Sequence, residues 1–267
     1  MQTSASRSPS SMPEAPEAAA STCILRAEKV TVDFDGFKAV QELDFALHTG
    51  EVHFLIGPNG AGKTTLLDVM CGRTRPQSGR VLFKEARDLT RMQEHQISRL
   101  GVGRKFQAPS VFLSLTPREN LELAARGPRG VWANLKRAKA NPRVEELLET
   151  VGLAGRADVI AGEMSHGQKQ WLEIGMLLAQ EPDAVLLDEP AAGMTDAETA
   201  KMGEMLHAIA HKHSILVVEH DMEFVRRFAH RVTVMHEGRV LCAGSMEEVQ
   251  ADPQVIAVYL GRRGERD

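Results

Sequence analysis

Gly57-Pro58-Asn59-Gly60-Ala61-Gly62-Lys63-Thr64 constrains this chain more than any other stretch: it fills the pattern G-x-x-x-x-G-K-[ST] and follows the apolar run Val52 to Ile56 without a break. A strand that empties into such a loop and continues as a helix builds a cradle for phosphate. The glycines let consecutive N–H groups turn inward, the amino end of the helix adds positive potential, and Lys63 supplies a point charge. Thr64 offers a hydroxyl to Mg²⁺, and Thr65 follows it into the helix as a further nucleotide contact. The competing reading, a glycine-rich turn with a chance lysine, does not account for strand, loop and helix in the required order. The expectation is an α/β core that holds a nucleoside triphosphate.

Composition narrows the partners. With 267 residues, 43% of them hydrophobic, the chain can bury one large α/β core with an inserted subdomain. A net charge of −4 offers no basic face for counterion release, so nucleic acid is not expected as a partner. Cys23, Cys71 and Cys242 stand far apart, which suits small buried apolar residues in a reducing compartment better than a disulfide framework. No apolar run approaches the ~20 residues that span a bilayer. Residues 1–22 are rich in Ser, Ala, Pro and Thr, with no apolar block, and read as a disordered tail. There is no internal repeat or heptad run.

From Ile24 the chain runs through short β-like segments, Ile24 to Val32, Leu43 to Leu47, Val52 to Ile56 and Val81 to Phe83, with Asp35-Gly36 and Thr49-Gly50 as turns. Thr64 to Cys71, closed by Gly72, reads as the helix after the phosphate loop. From about Asp88 to Gln168 the pattern becomes helical, with a strand near Val102 inside it. Thr116-Pro117-Arg118-Glu119 supplies a cap, a first-turn proline and a capping-box glutamate, and another helix starts near Pro142. Ala184 to Leu187 and Ile215 to Val218 are compact apolar strands of the buried parallel type. Arg231 to Met235 and Val240 to Cys242 flank Glu237-Gly238 as a hairpin, and Ser245 to Glu248 caps a short final helix.

Ala184-Val185-Leu186-Leu187-Asp188-Glu189-Pro190 puts two carboxylates at the carboxyl end of a buried strand, where open α/β sheets bind ligands. Asp188 is expected to hold Mg²⁺ through water, and Glu189 to accept a proton from the water that attacks the γ-phosphate. Met164-Ser165-His166-Gly167-Gln168 opens a helix with Ser165 as cap and Gln168 at the capping-box position, leaving backbone donors and a helix dipole facing outward. On its own that is a plain helix cap.

In this order the motifs resemble those of the ATP-binding cassette (ABC) transporter ATPases, over nearly everything from Ile24 to Leu260. The resemblance implies an α/β fold: a P-loop NTPase core with a parallel sheet, an antiparallel β subdomain and an inserted α-helical subdomain. The ATPase domain would span 23–262 and its helical subdomain about 88–168. It further implies that Ser165, His166, Gly167 and Gln168, in the place of the family's Leu-Ser-Gly-Gly-Gln signature, bind the γ-phosphate held by another subunit. Two ATP molecules would then be sandwiched in a head-to-tail dimer, made with a second copy or a related ATPase. Phe34 falls where an aromatic stacks on adenine, with Phe37 as competitor. Gln107 falls where a glutamine meets Mg²⁺ or the attacking water, and His220 where a histidine contacts the γ-phosphate and braces the glutamate. The implied cofactors are ATP and Mg²⁺, and the implied partners are membrane permease subunits and, indirectly, an extracytoplasmic binding protein. The implied location is peripheral, on the cytoplasmic face of the inner membrane.

Two positions depart from the family pattern: His166 stands where glycine is usual, and Thr195 where many relatives have aspartate. A side chain at 166 either touches nucleotide or points to solvent, and Thr195 with Glu198 makes a capping box for the next helix. The segments Ser165 to Met176, Glu189 to Thr195 and Arg104 to Phe112 together resemble the ATPase subunits of bacterial urea importers, themselves similar to branched-chain amino-acid importers. Urea is the cargo this implies, with branched-chain amino acids as the alternative. Val111, Phe112 and Leu113 mark the expected groove for the permease. Non-transport cassette ATPases carry long coiled coils or paired cassettes, which this chain lacks, and the intact Lys63, Asp188, Glu189 and His220 argue against a non-hydrolysing scaffold. No spacing resembles a metal set beyond ATP-bound Mg²⁺.

Overall fold

The computed structural model describes residues 22–105, 111–125 and 141–260. The expected disordered tail therefore lies, all but its last residue, outside the described residues.

Two long strands, β1 (Cys23–Phe34) and β2 (Phe37–His48), form an antiparallel hairpin. Its turn is Asp35-Gly36, with φ of 51° and 94°. Two successive positive φ values match the right-handed twist of the flanking strands, which is why a glycine follows the aspartate. β2 begins well before Leu43: Lys38, Gln41 and Glu42 give its first half a polar pattern, and Glu42 breaks it with a φ of 43°. β4 (Ser78–Phe83) and the two-residue β5 (Arg87–Asp88) complete a four-stranded antiparallel sheet in the order β2-β1-β4-β5.

The second sheet has six strands in the order β10-β9-β3-β8-β7-β6. β3 (Val52–Ile56), β6 (Val102–Lys105), β7 (Ala184–Asp188), β8 (Ser214–Val218) and β9 (Arg231–His236) run parallel, and β10 (Arg239–Gly244) pairs antiparallel to β9. Every residue of β3, β7 and β8 is buried, as strands covered on both faces must be. Successive side chains go to opposite sides. Leu55, Leu186, Leu216 and Val218 pack toward the antiparallel sheet and helices α1 (Lys63–Met70) and α2 (Glu94–Leu100), whereas Phe54, Leu187, Ile215 and Val217 pack toward the helices that follow.

Those helices are α3 (Pro117–Ala125), α4 (Pro142–Thr150), α5 (His166–Leu178), α6 (Asp196–Ala210), α7 (Met222–Phe228), α8 (Met246–Ala251) and α9 (Pro253–Leu260). The expected caps are present: Thr116 accepts from the Glu119 N–H at 3.2 Å, and Ser165, Thr195 and Ser245 each form a reciprocal capping box. The stretch 88–168 is less uniformly helical than its pattern suggested. β6 joins the parallel sheet beside β7, with α2 before it and α3 after it. Gly101 and Gly103 break the helical pattern there, and a Cβ on Gly103 would stand 2.6 Å from a Leu177 methyl, so the strand lies close under α5.

Candidate nucleotide site

The loop between β3 and α1 is closed by sterics as much as by hydrogen bonds. Gly57, Gly60 and Gly62 have φ of 150°, 80° and 98°. A Cβ on Gly57 would lie 2.1 Å from the Met235 carbonyl oxygen, and one on Gly62 2.2 Å from that of Ala39. Neither position can carry a side chain without moving backbone, whereas Gly60 has no neighbour within 4 Å and needs glycine for its φ alone. The loop is tied down further by the Ala61 N–H, which donates to Pro58 O at 3.1 Å, and by Ala61 O, which accepts from the Gly238 N–H at 3.1 Å.

Lys63 folds over this loop, its ammonium donating to the carbonyls of Gly57 at 2.7 Å and Pro58 at 3.0 Å. Burial pushes its pKa down, against the pull of the nearby Glu189 and Asp188 carboxylates. A partly desolvated cation at the mouth of a ring of backbone donors is matched to a phosphate chain.

Asp188 ends β7 almost fully buried. Burial raises its pKa, while Arg104 on β6 and a hydrogen bond from the Thr64 side chain oppose the rise. The Arg104 guanidinium lies 3.6 Å from Asp188 Oδ2 and 2.5 Å from Asp68 Oδ1 on α1, so it joins the loop's helix to the strand that carries Asp188. Asp188 Oδ2 itself accepts no hydrogen bond. A buried carboxylate oxygen left this way beside the Thr64 hydroxyl is a hard-oxygen donor set that fits Mg²⁺.

Glu189 is the first residue past β7 and sits in the left-handed region at φ 48°. Its carboxylate lines a cavity of about 410 Å³ together with Asn59, Gly60, Ala61, Gly62, Lys63, Thr64 and Thr65. Phe34 and Phe37, at the tip of the first hairpin, line the same cavity and are 51% and 64% exposed. The expected aromatic is thus one of a pair, and neither is an ordinary core residue. His220, just past β8, holds Nδ1 3.5 Å from Glu189 Oε1. A second cavity of about 580 Å³ lies at the opposite, amino end of β7, between α4 and the end of α6. Its charged lining is already spanned by the ion pairs Arg143–Glu181 and Lys212–Glu146, and it collects none of these groups.

Ser165, His166, Gly167 and Gln168 do not line the nucleotide cavity. They open α5 elsewhere on the surface, with Ser165 and His166 exposed, and the Gln168 side chain reaches back to the Ser165 N–H at 3.1 Å. The His166 imidazole is exposed and at the same time held by a neighbour. Its Nε2 accepts from Gln170 Nε2 at 3.2 Å, and the same amide donates to Ala192 O at 3.1 Å, so the side chain folds back toward the loop that follows Glu189. Gln107 lies outside the described residues.

Sequence reasoning passed over two residues at this site. Arg104 acts through space, and no local pattern marks it. Glu219 is the acidic end of an apolar strand, the same signal that singled out Asp188, and it goes unused because His220 follows it.

Comparison with known proteins agrees with this geometry. A sequence model described as ABC transporter matches residues 40–192, and one described as branched-chain amino acid ATP-binding cassette transporter matches residues 239–265. The chain is 34% identical over 250 residues to the high-affinity branched-chain amino acid transport ATP-binding protein LivG of Salmonella typhimurium, covering 89% of this chain and 98% of that one. It is 32% identical over 239 residues to the lipopolysaccharide export system ATP-binding protein LptB of Acidithiobacillus ferridurans, covering 89% and 97%. Among solved structures, the ADP conformation of MJ1267, an ATP-binding cassette of an ABC transporter, superposes with a TM-score of 0.78 at 31% identity, covering 90% of this chain and 99% of that one. CbiO1 from Clostridium perfringens, part of the transporter complex cbiONQ, gives 0.76 at 28%, covering 91% and 98%. With the phosphate loop, the paired strand-end carboxylates and His220 in one cleft, these matches show that the chain belongs to the ABC transporter family and is an ATP-hydrolysing subunit of that family.

Proposed function

We propose that this ATPase drives an importer, and that its cargo is branched-chain amino acids. The cavity lined by Lys63, Thr64 and Glu189, with Asp188 beside Thr64 and His220 beside Glu189, carries the catalytic part of this reading. The relatives named for branched-chain amino-acid transport, and the match at residues 239–265, favour the cargo. Urea is the second reading, carried by the segments around Ser165-His166-Gly167-Gln168 and Gly193-Met194-Thr195.

ATP would lay its phosphates on the N–H groups of residues 57–65 and exchange the Lys63 contacts with Gly57 and Pro58 for contacts with phosphate. Phe34 or Phe37 would stack on the base. Thr64 and Asp188, with Gln107, would hold Mg²⁺, which neutralises charge between the phosphates. Glu189 would take the proton of the attacking water, with His220 keeping its carboxylate in place. The amino end of α5 would complete the site of a second ATPase subunit, whether another copy or a related chain. ATP would close that dimer and hydrolysis reopen it.

No helix among the described residues is long and apolar enough to cross a membrane, which suits a peripheral subunit held by permeases at the cytoplasmic face of the inner membrane. Phe112 and Leu113 are each 53% exposed, and Leu113 lies with the exposed Ile160 around Gly162. This apolar patch is the proposed permease contact, and an extracytoplasmic binding protein would deliver the cargo.

Uptake of labelled leucine and labelled urea at low external concentration tests the reading in source cells carrying Lys63→Ala in place of the wild-type chain. Loss of leucine uptake alone is expected. Loss of urea uptake alone would move the protein to the second reading, and persistence of both would remove both cargoes.

A further inference from the structure

We infer that Glu219 is the positioning residue that holds Glu189 in its working conformation, an inference that rests on the reading of Glu189 as the general base. Glu219 follows β8 and is 2% exposed. Its two carboxylate oxygens are divided between the two loops that carry the proposed catalytic pair. Oε1 accepts from the Ala191 N–H at 3.3 Å, two residues past Glu189, and Oε2 accepts from the His220 N–H at 3.2 Å. One buried carboxylate thus staples the loop after β7 to the loop after β8.

The staple is placed where the backbone needs it. Glu189 is a non-glycine residue at φ 48°, a conformation that persists only where its surroundings over-determine it. The Glu189 N–H donates to Val218 O at 2.9 Å, and Glu189 O accepts from the Ala192 N–H at 3.2 Å. The Ala191 N–H between them ends on Glu219. These bonds fix the backbone on both sides of Glu189 and so aim its side chain at the cavity beside Lys63.

Retaining an acid here is costly. Burial pushes the Glu219 pKa up, and the basic group within ion-pairing distance among the described residues is His220, with Nδ1 at 3.9 Å. A carboxylate is the one side chain of this length that accepts through both terminal atoms. Glutamine has the same shape but one acceptor, so either the Ala191 or the His220 N–H would face a donor.

The test is a double-mutant cycle on the transporter purified from source cells through this chain, comparing wild type, Glu219→Gln, Glu189→Gln and the double variant by kcat and ATP affinity. Glu219→Gln is expected to lower kcat by about 10²-fold, the cost of a misaligned reacting group, with ATP affinity changed less than about twofold. In the Glu189→Gln background the same substitution should lower kcat by less than about a further twofold, because the base it positions is already gone. An equal loss in both backgrounds would make Glu219 an ordinary stabilising residue, and an undiminished kcat in the single variant would overturn the inference outright. Failure of the underlying reading is separately visible: Glu189→Gln itself would then hydrolyse ATP at the wild-type rate, and the inference would fall with it. Should Glu219→Gln lose ATP binding through misfolding, Glu219→Asp, which keeps the charge but is too short to reach both loops, takes its place in the cycle with the same expected and overturning results.

Discussion

The glycines of the phosphate loop separate two demands that a sequence pattern merges. Gly57 and Gly62 are required by contact: their missing Cβ atoms leave room for the Met235 and Ala39 carbonyls. Gly60 is required only by conformation, with φ 80° and open space around it. Alanine at 60 should therefore cost about 1 kcal/mol of backbone strain and keep the loop's shape. Alanine at 62 should push the first turn of α1 away from Ala39, lowering ATP affinity at least about tenfold through displaced N–H donors. Nucleotide titration of both variants, with thermal melts to separate binding from folding, checks the difference; equal affinities would remove the Ala39 contact from the argument. Glu219 and Arg104 make the complementary case of side chains that touch neither loop glycine nor cavity yet set where the reacting groups stand.

β6 makes four residues serve two sites, because neighbouring positions on a strand face opposite ways. Arg104 turns toward Asp68 and Asp188, and Lys105 turns toward α5, where its ammonium lies 3.5 Å from Glu173 Oε2 with both side chains almost fully buried. A buried ion pair gives little net stability, but removing one member leaves the other charge to bear its desolvation. Lys105→Met should thus destabilise the fold by about 3–5 kcal/mol, and adding Glu173→Leu should recover most of that loss. Urea unfolding of the single and double variants measures it, and a double variant no more stable than the single would show that the pair is not the unit. What the sequence revealed of the fold follows the same division between local and distant causes. Mostly apolar strands such as β3, β7 and β8, and the capping boxes at Thr116, Ser165, Thr195 and Ser245, carry their signals within a few residues and were legible. β5, the first half of β2 and the sheet membership of β6 were not, because two to six polar or glycine-rich residues become strands only through the partners they meet. Lys63, Asp188, Glu189 and His220 were readable because each ends or follows a strand in a fixed local pattern. Arg104 and Glu219 act on residues far away in sequence.

In the whole molecule, the parallel sheet is buried on both faces and delivers its loops at one edge, so the chemistry depends on a core that admits few polar groups. His53 is one of them. It lies on β3, 1% exposed, with Nε2 2.8 Å from Thr233 Oγ1, Nδ1 3.2 Å from Glu51 Oε1 and its ring 4.9 Å from that of Phe45. Burial holds its pKa below the ordinary 6.5, although Glu51 pulls the other way. The unfolded chain takes up a proton at this imidazole as pH falls through 6.5, while the folded chain resists until lower pH. Protons therefore favour the unfolded state in that window, and the folded protein loses at most about 1.4 kcal/mol per pH unit through this group. Buried carboxyls such as Asp188 and Glu219, held above their ordinary range, respond with the opposite sign, so the wild-type slope alone does not isolate the histidine. The difference between wild type and His53→Gln does. Unfolding free energies at pH 7.5 and 5.5 should show the wild type losing more stability on acidification than the variant, and parallel slopes would mean that this buried imidazole takes up its proton without opening the core.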